Sequence, residues 1–171
     1  MRTLLQVGVV LAMAAGSPTL ATAQRQADIE ALNRVVDRYG ALEDAMDLTA
    51  QAQLMAADRV QVSQGIGRRT DQALNMRIQQ AGVDQLRKAV PGVQFFTEDR
   101  DRLIKVYGNG TVAVASFYRY RTRILPAGTP REVAEGLAPI QPTAVTLVLE
   151  KQNQDWRIVH THASTLAPGG N

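Results

Sequence analysis

Two histidines, His160 and His162, are the only ones in the 171-residue chain, and they stand one residue apart in the run WRIVHTHAS. An imidazole with an unperturbed pKa near 6.5 serves as acid, base or metal ligand. In an extended strand successive side chains alternate, so Trp156, Ile158, His160, His162 and Ser164 share one face. If Trp156 and Ile158 point into a covered core, both imidazoles point the same way, toward any hollow beyond. Three readings follow: hydrogen-bonded wall residues, acid/base or ligand-binding groups in a pocket, or part of a metal site. The last needs a further ligand, which must be Asp or Glu because the chain has no cysteine. No carboxylate is obviously placed for it, so neither a metal nor a cofactor is expected.

The other chemically suggestive run is FYRYRTR, Phe117 to Arg123. As a strand it places Arg119, Arg121 and Arg123 on one face with Phe117, and Tyr118, Tyr120 and Thr122 on the other. Arg119 in a cavity would form a planar fork for a carboxylate; alternatively the arginines pair with acids of a neighbouring subunit. Interleaved Arg and Tyr also suit single-stranded nucleic acid, but a net charge of only +3 argues against that partner. TEDRDR, Thr97 to Arg102, reads as a solvated turn between strands, with Asp99 and Asp101 as carboxylate partners at most. GIGRR, Gly65 to Arg69, lacks the Lys-Ser/Thr pair of a phosphate loop and reads as a flap at a pocket mouth.

The elements that would position these residues begin after residue 23. Arg2, an apolar stretch from Leu4 to Ala15, and Ala21-Thr22-Ala23 follow the pattern of a secretory signal peptide cleaved before Gln24. The apolar stretch is shorter than the roughly 20 residues needed to span a bilayer. The reading is therefore residues 1–23 as signal and 24–171 as one domain, periplasmic or secreted, with no membrane association once cleaved. Ile29, Leu32, Val36, Tyr39, Leu42 and Met46 recur at helical steps, with Asp28 placed as an N-cap. A second helix is expected from Leu48 to Ala57, then a short strand in which Val60 and Val62 alternate with Gln61 and Ser63. Thr70 caps a third helix carrying Leu74, Ile78, Val83, Leu86 and Val90, ended by Pro91-Gly92.

From there the chain turns to β-branched and aromatic runs: VQFFTED, RLIKVYG, TVAVASFYRYRTRIL, TAVTLVLEK and WRIVHTHAS. Asn109-Gly110 gives the strongest tight-hairpin signal, and Gln152 to Asp155 a looser one. Pro126 to Pro142, dense in proline, reads as a long exposed loop. Helices first and antiparallel strands afterwards predict an α+β domain whose helices cover one face of a curved sheet.

With its MAADRV run leading into a strand, its YGNGTVAVASF hairpin and its closing VTLVLEKQNQDWRIVHTHAS, the chain resembles the SnoaL-like branch of the nuclear transport factor 2 superfamily. In local pattern it is close to the association domain of calcium/calmodulin-dependent protein kinases. The resemblance spans Asp28 to Ser164. It implies a cystatin-like α+β cone, with N-terminal helices packed on a curved, mainly antiparallel sheet, a pocket between the two layers, and a homodimer or larger assembly. Relatives include isomerases, cyclases, dehydratases and non-catalytic binding or scaffolding domains, so fold alone does not choose a reaction. At the position of the isomerases' carboxylate base this chain carries Ser63, which cannot abstract a carbon-bound proton unaided. The pocket arginine of the kinase association domain matches Arg119, with Tyr118 or Tyr120 in its place if the register slips by one. The expected site is thus Arg119, Tyr118, Tyr120 and Ser63 as ligand-binding residues and His160 and His162 as the acid/base candidates. The primary expectation is a binder of a small polar or anionic molecule. A histidine-dependent lyase, isomerase or cyclase and a non-catalytic assembly domain are the alternatives.

Overall fold

A computed structural model describes the backbone of residues 18–63 and 67–166, with side chains from residue 22 onward. Two long elements lead: helix α1, Pro18–Asp44, and, after the short helix α2, Leu48–Ala52, strand β1, Met55–Ser63. A three-residue edge strand β2, Gly67–Arg69, precedes helix α3, Gln72–Ala89. Then come β3 (Gln94–Tyr107), β4 (Val112–Ile124), the short helix α4 (Arg131–Gly136), β5 (Thr143–Gln152) and β6 (Asp155–Thr165). The six strands form one open sheet in the order β2-β1-β6-β5-β4-β3, antiparallel except where β1 runs parallel to β6. The α+β architecture expected from the sequence is what the chain adopts. No helix among the described residues is long and apolar enough to cross a membrane.

The core lies between α1 and the sheet. Leu32, Val36 and Tyr39 project from one side of α1 onto Ala113, Ala115 and Phe117 of β4, Val145, Leu147 and Leu149 of β5, and Trp156 and Ile158 of β6. A smaller apolar cluster, Met46, Val90 and Val93 with Leu86, Phe95, Leu125 and Val133 against it, closes the other end.

Several local expectations are revised. The first helix starts before Asp28, which is no N-cap: it lies within α1, buried, accepting a 2.5 Å ion-pair hydrogen bond from Lys151. The proposed cleavage point, Ala23-Gln24, falls inside α1, and residues 1–17 of the proposed signal lie outside the described residues. Helix α2 ends at Ala52 rather than Ala57, and Asp71, not Thr70, caps α3 by accepting from the Leu74 N–H at 2.8 Å. TEDRDR is not a turn. It belongs to a single strand, β3, with an irregularity between Arg100 and Leu103 where Asp101 takes a positive φ of 53°.

The two hairpins exchange roles. Tyr107 pairs with Val112, so the Asn109-Gly110 connection spans four residues, with positive φ at Gly108, Asn109 and Gly110. The tight turn is Asn153-Gln154 between paired Gln152 and Asp155, and both central residues have positive φ, as a primed two-residue turn requires. The proline-rich segment carries helix α4, and its Ile140 reaches a cavity wall.

Candidate functional site

The interior site is built from residues that alternate against the expected sense. On β1, Arg59 and Gln61 are buried while Val60 and Val62 are only partly covered. On α3, Asn75 and Met76 face the sheet, whereas Leu74 and Ile78 stand exposed on the far side. The layer between α3 and β1 is therefore polar, and it encloses a cation.

Arg59 is 2% exposed. Its Nη1 donates to Thr161 Oγ1 at 3.1 Å, and its Nη2 donates to Gln61 Oε1 at 2.9 Å and contacts Met76 Sδ at 3.7 Å. Its Nε has no partner, and no carboxylate of the described residues pairs with it. Donors crowd a single acceptor there: Gln61 Oε1 also receives Asn75 Nδ2 at 2.5 Å and Gln79 Nε2 at 3.4 Å. Desolvation pulls the Arg59 pKa below its ordinary value, opposed by Tyr39. Ser63, two residues beyond Gln61 and paired with Ala163 on the same face, has a buried hydroxyl with no hydrogen-bond partner.

A second buried cation lies across Tyr39. Arg119, 6% exposed, sits directly opposite Asp99 in the β3-β4 ladder. Its Nε and Nη2 donate to the two Asp99 oxygens, each at 2.8 Å, and its Nη1 donates to Glu43 of α1 at 2.7 Å. The rings of Tyr39 and Phe117 lie 5.1 and 5.2 Å from its guanidinium carbon. Burial alone would lower its pKa, but hydrogen bonding to Asp99 and the charge of Glu43 outweigh that and hold it above the ordinary range. Gly40 makes the approach of α1 possible, since a Cβ there would stand 3.2 Å from Arg119 Nη2. The Tyr39 phenol is raised by its burial and then by the nearby Glu43 carboxylate.

A cavity of about 340 Å³ opens beside this interior. Leu48, Val83, Leu86, Phe95 and Ile140 form its apolar wall, and Glu43, Arg121 and Arg123 contribute charged groups to the lining. Arg121 stacks on Phe95 at 3.9 Å and pairs with Glu43 at 3.4 Å. Gln79 belongs both to this wall and to the cluster around Arg59.

The structure separates the residues that the sequence reading grouped. Arg119 faces inward, but its fork is filled by the protein's own Asp99 and Glu43. Tyr118 and Tyr120 are on the opposite, outer face, Tyr118 being 43% exposed and Tyr120 lying under the Arg100 guanidinium at 4.6 Å. His160 and His162 are outside as well, which corrects their placement on the inner wall with Trp156. Ile158 pairs with Leu149 and His160 with the next residue back, Val148, so Val159 is an extra residue in the ladder. Such a bulge inverts the alternation beyond it. Thr161 becomes buried, His160 half-buried beside Val60 and Val148, and His162 exposed beside Val62 and Thr146. No group of His, Cys, Asp and Glu able to hold a metal occurs among the described residues.

The sequence reading missed Arg59, Gln61, Asn75 and Gln79. A signal was present: an arginine enclosed by the short apolar strand MAADRVQV is out of character unless the strand's polar side faces inward.

An open, mostly antiparallel six-stranded sheet curled over helices, with a polar interior and a lateral cavity, defines a cystatin-like cone of the nuclear transport factor 2 type. The chain belongs to the SnoaL-like domain family, whose profile it matches over residues 32–168. It is similar to a nuclear transport factor 2-like protein with a cystatin-like fold from Novosphingobium aromaticivorans, at TM-score 0.67 and 20% identity over 92% of this chain and 94% of that one. A candidate scytalone dehydratase from the same organism gives 0.65 and 13%, covering 85% and 89%. A candidate calcium/calmodulin-dependent protein kinase II association domain from Xanthomonas campestris gives 0.58 and 17%, covering 80% and 86%. At these identities the likeness concerns the fold. No curated protein matches the sequence.

Proposed function

We propose that this SnoaL-like domain is exported and binds a small anionic molecule between sheet and helices, with Arg59 as the counter-charge. The observation that carries this reading is a guanidinium removed from water with no acid beside it. Burying an unpaired charge is costly, and an incoming anion removes that cost. The surplus of N–H donors on Gln61 Oε1 and the unpartnered Ser63 hydroxyl suit such an oxygen-rich guest.

The names of two structural neighbours suggest a dehydratase, but the groups such chemistry needs are engaged elsewhere here. Both histidines are on the outer face, and the interior carboxylates Asp99 and Glu43 are tied to Arg119. A binding role without chemistry fits these placements better. The test is calorimetric titration of the purified protein with acetate and with inorganic phosphate, repeated on Arg59→Gln. Binding that weakens at least tenfold in the variant is expected; equal affinity in both proteins would remove Arg59 from the site.

We further infer a homodimer through the outer face of the sheet. Phe96, Leu103, Tyr107, Tyr118 and Ile124 are all exposed there on adjoining strands β3 and β4. Sedimentation should report a dimer that Leu103→Glu dissociates, and a monomeric parent protein would refute it.

A further inference from the structure

Gln79 is the residue through which the apolar cavity and the buried cation meet. Its Nε2 contacts the same two atoms as Arg59 Nη2: Gln61 Oε1, at 3.4 against 2.9 Å, and Met76 Sδ, at 3.9 against 3.7 Å. Its hydrogen bond to Gln61 is the longest of the three that converge on that oxygen, and hence the one most easily given up. On its other side stands the 340 Å³ hollow, at the lower end of the roughly 300–1,000 Å³ typical of ligand pockets. The wall contributed by Leu48, Val83, Leu86, Phe95 and Ile140 offers no hydrogen bond from a side chain. A sugar or amino acid would leave its own polar groups unpaired against it, whereas a hydrocarbon would not. The acid of the lining, Glu43, is already held by Arg119 and Arg121, and Arg123, in no ion pair among the described residues, adds a positive charge to that lining. An anion with an apolar body therefore meets a positive charge in the lining, dispersion contacts along the apolar wall and, behind Gln79, a counter-charge.

We propose that the ligand is an amphipathic monocarboxylate, its hydrocarbon body against Leu48, Val83, Leu86, Phe95 and Ile140 and its carboxylate on the Arg59 cluster in the place Gln79 now occupies. This rests on the reading of Arg59 above and adds the class of molecule and the residue that partitions the site. Each methylene buried against the wall should tighten binding roughly fourfold.

The experiment is calorimetry with acetate, butanoate, hexanoate and octanoate, with hexanol as the uncharged match, on the purified protein. Hexanoate should bind at least tenfold more tightly than acetate, and hexanol at least tenfold more weakly than hexanoate. Ile140→Ala, on an irregular segment outside both apolar clusters, should weaken hexanoate binding several-fold and so shrink the ratio of hexanoate to acetate affinity. Gln79→Ala should raise the hexanoate association rate several-fold in stopped flow. If acetate and hexanoate bind equally and both depend on Arg59, the amphipathic class is wrong while the anion site stands. If hexanol binds as well as hexanoate, the head-group assignment is wrong. An unchanged association rate in Gln79→Ala overturns its partitioning role. If no acid binds at all, this inference and the reading of Arg59 fall together.

Discussion

Arg59 and Arg119 are both cations buried on the inner face of one sheet, on either side of Tyr39, and their surroundings are opposite. Arg119 has two carboxylates, one of them facing it across a strand pair and held bidentately. Arg59 has a hydroxyl, an amide oxygen and a thioether. Arg59 finds partners for its terminal nitrogens but not for Nε, and only Arg119 satisfies the stronger rule that buried charges are neutralised. A neutralised cation fixes architecture, since it joins α1 to β3 and β4 and its charge is already met by two carboxylates. An unneutralised one leaves a charge for something else to cancel. Family resemblance pointed to Arg119; charge balance points to Arg59.

That contrast fails or sharpens on the sign of a stability change. Arg119→Met leaves Asp99, whose side chain is 7% exposed, with only the distant Arg102 at 3.8 Å, and should cost about 3 kcal/mol by chemical denaturation. A loss under 1 kcal/mol would mean that the cluster is not structural. Arg59→Met removes an unpaired charge and should leave the ligand-free protein as stable as the parent or more so, by up to about 3 kcal/mol. If it destabilises as severely as Arg119→Met, the two arginines are alike and Arg59 is not an anion site. Gln79→Glu brings a carboxylate to the edge of the Arg59 cluster from within. The melting temperature should rise by roughly 2–4 °C for each kcal/mol gained, and acetate should no longer bind; a variant that still binds acetate would show that the glutamate does not reach the cation.

The smallest effect concerns the ring between the two cations. Its phenol is held protonated by burial, so the folded state retains a proton that the unfolded chain gives up above about pH 10. Stability from this source is complete below that pH and declines as pH rises beyond it. In an absorbance titration of the four tyrosines, a late-ionising component should be present and should vanish in Tyr39→Phe. A variant curve unchanged from the parent would place the phenol in contact with water.

Much of the architecture was legible from local pattern. The helical steps Leu32, Val36 and Tyr39, the change from helical to strand periodicity after Pro91-Gly92, and the order of elements all rest on interactions a few residues apart. What pattern could not supply was polarity relative to the interior. Alternation in VQVS and in HTHA states that neighbouring residues face opposite ways; it does not state which way is in. In β1 and the first turns of α3, assigning apolar residues inward gave the wrong side, because the cone encloses a polar cluster and its outer sheet face carries the valines. For Asp99 the obstacle was different. Its place in a charged hexapeptide suggested solvent, and only pairing with β4 sets it opposite Arg119.

By itself the sequence determined an α+β domain of helices followed by antiparallel strands, without cysteine chemistry, with an inward Trp156 and Ile158 and an arginine-rich fourth strand. Tertiary structure alone decided that the histidines leave the interior and that Arg59 takes the central place. For the histidines the physical reason is one inserted residue at Val159: strand alternation is a local rule, whereas a bulge arises from how a strand must fit two neighbours at once, here β5 running antiparallel and β1 running parallel. For Arg59 it is that alternation along β1 does not say which side is the inner one; only the packed sheet shows that.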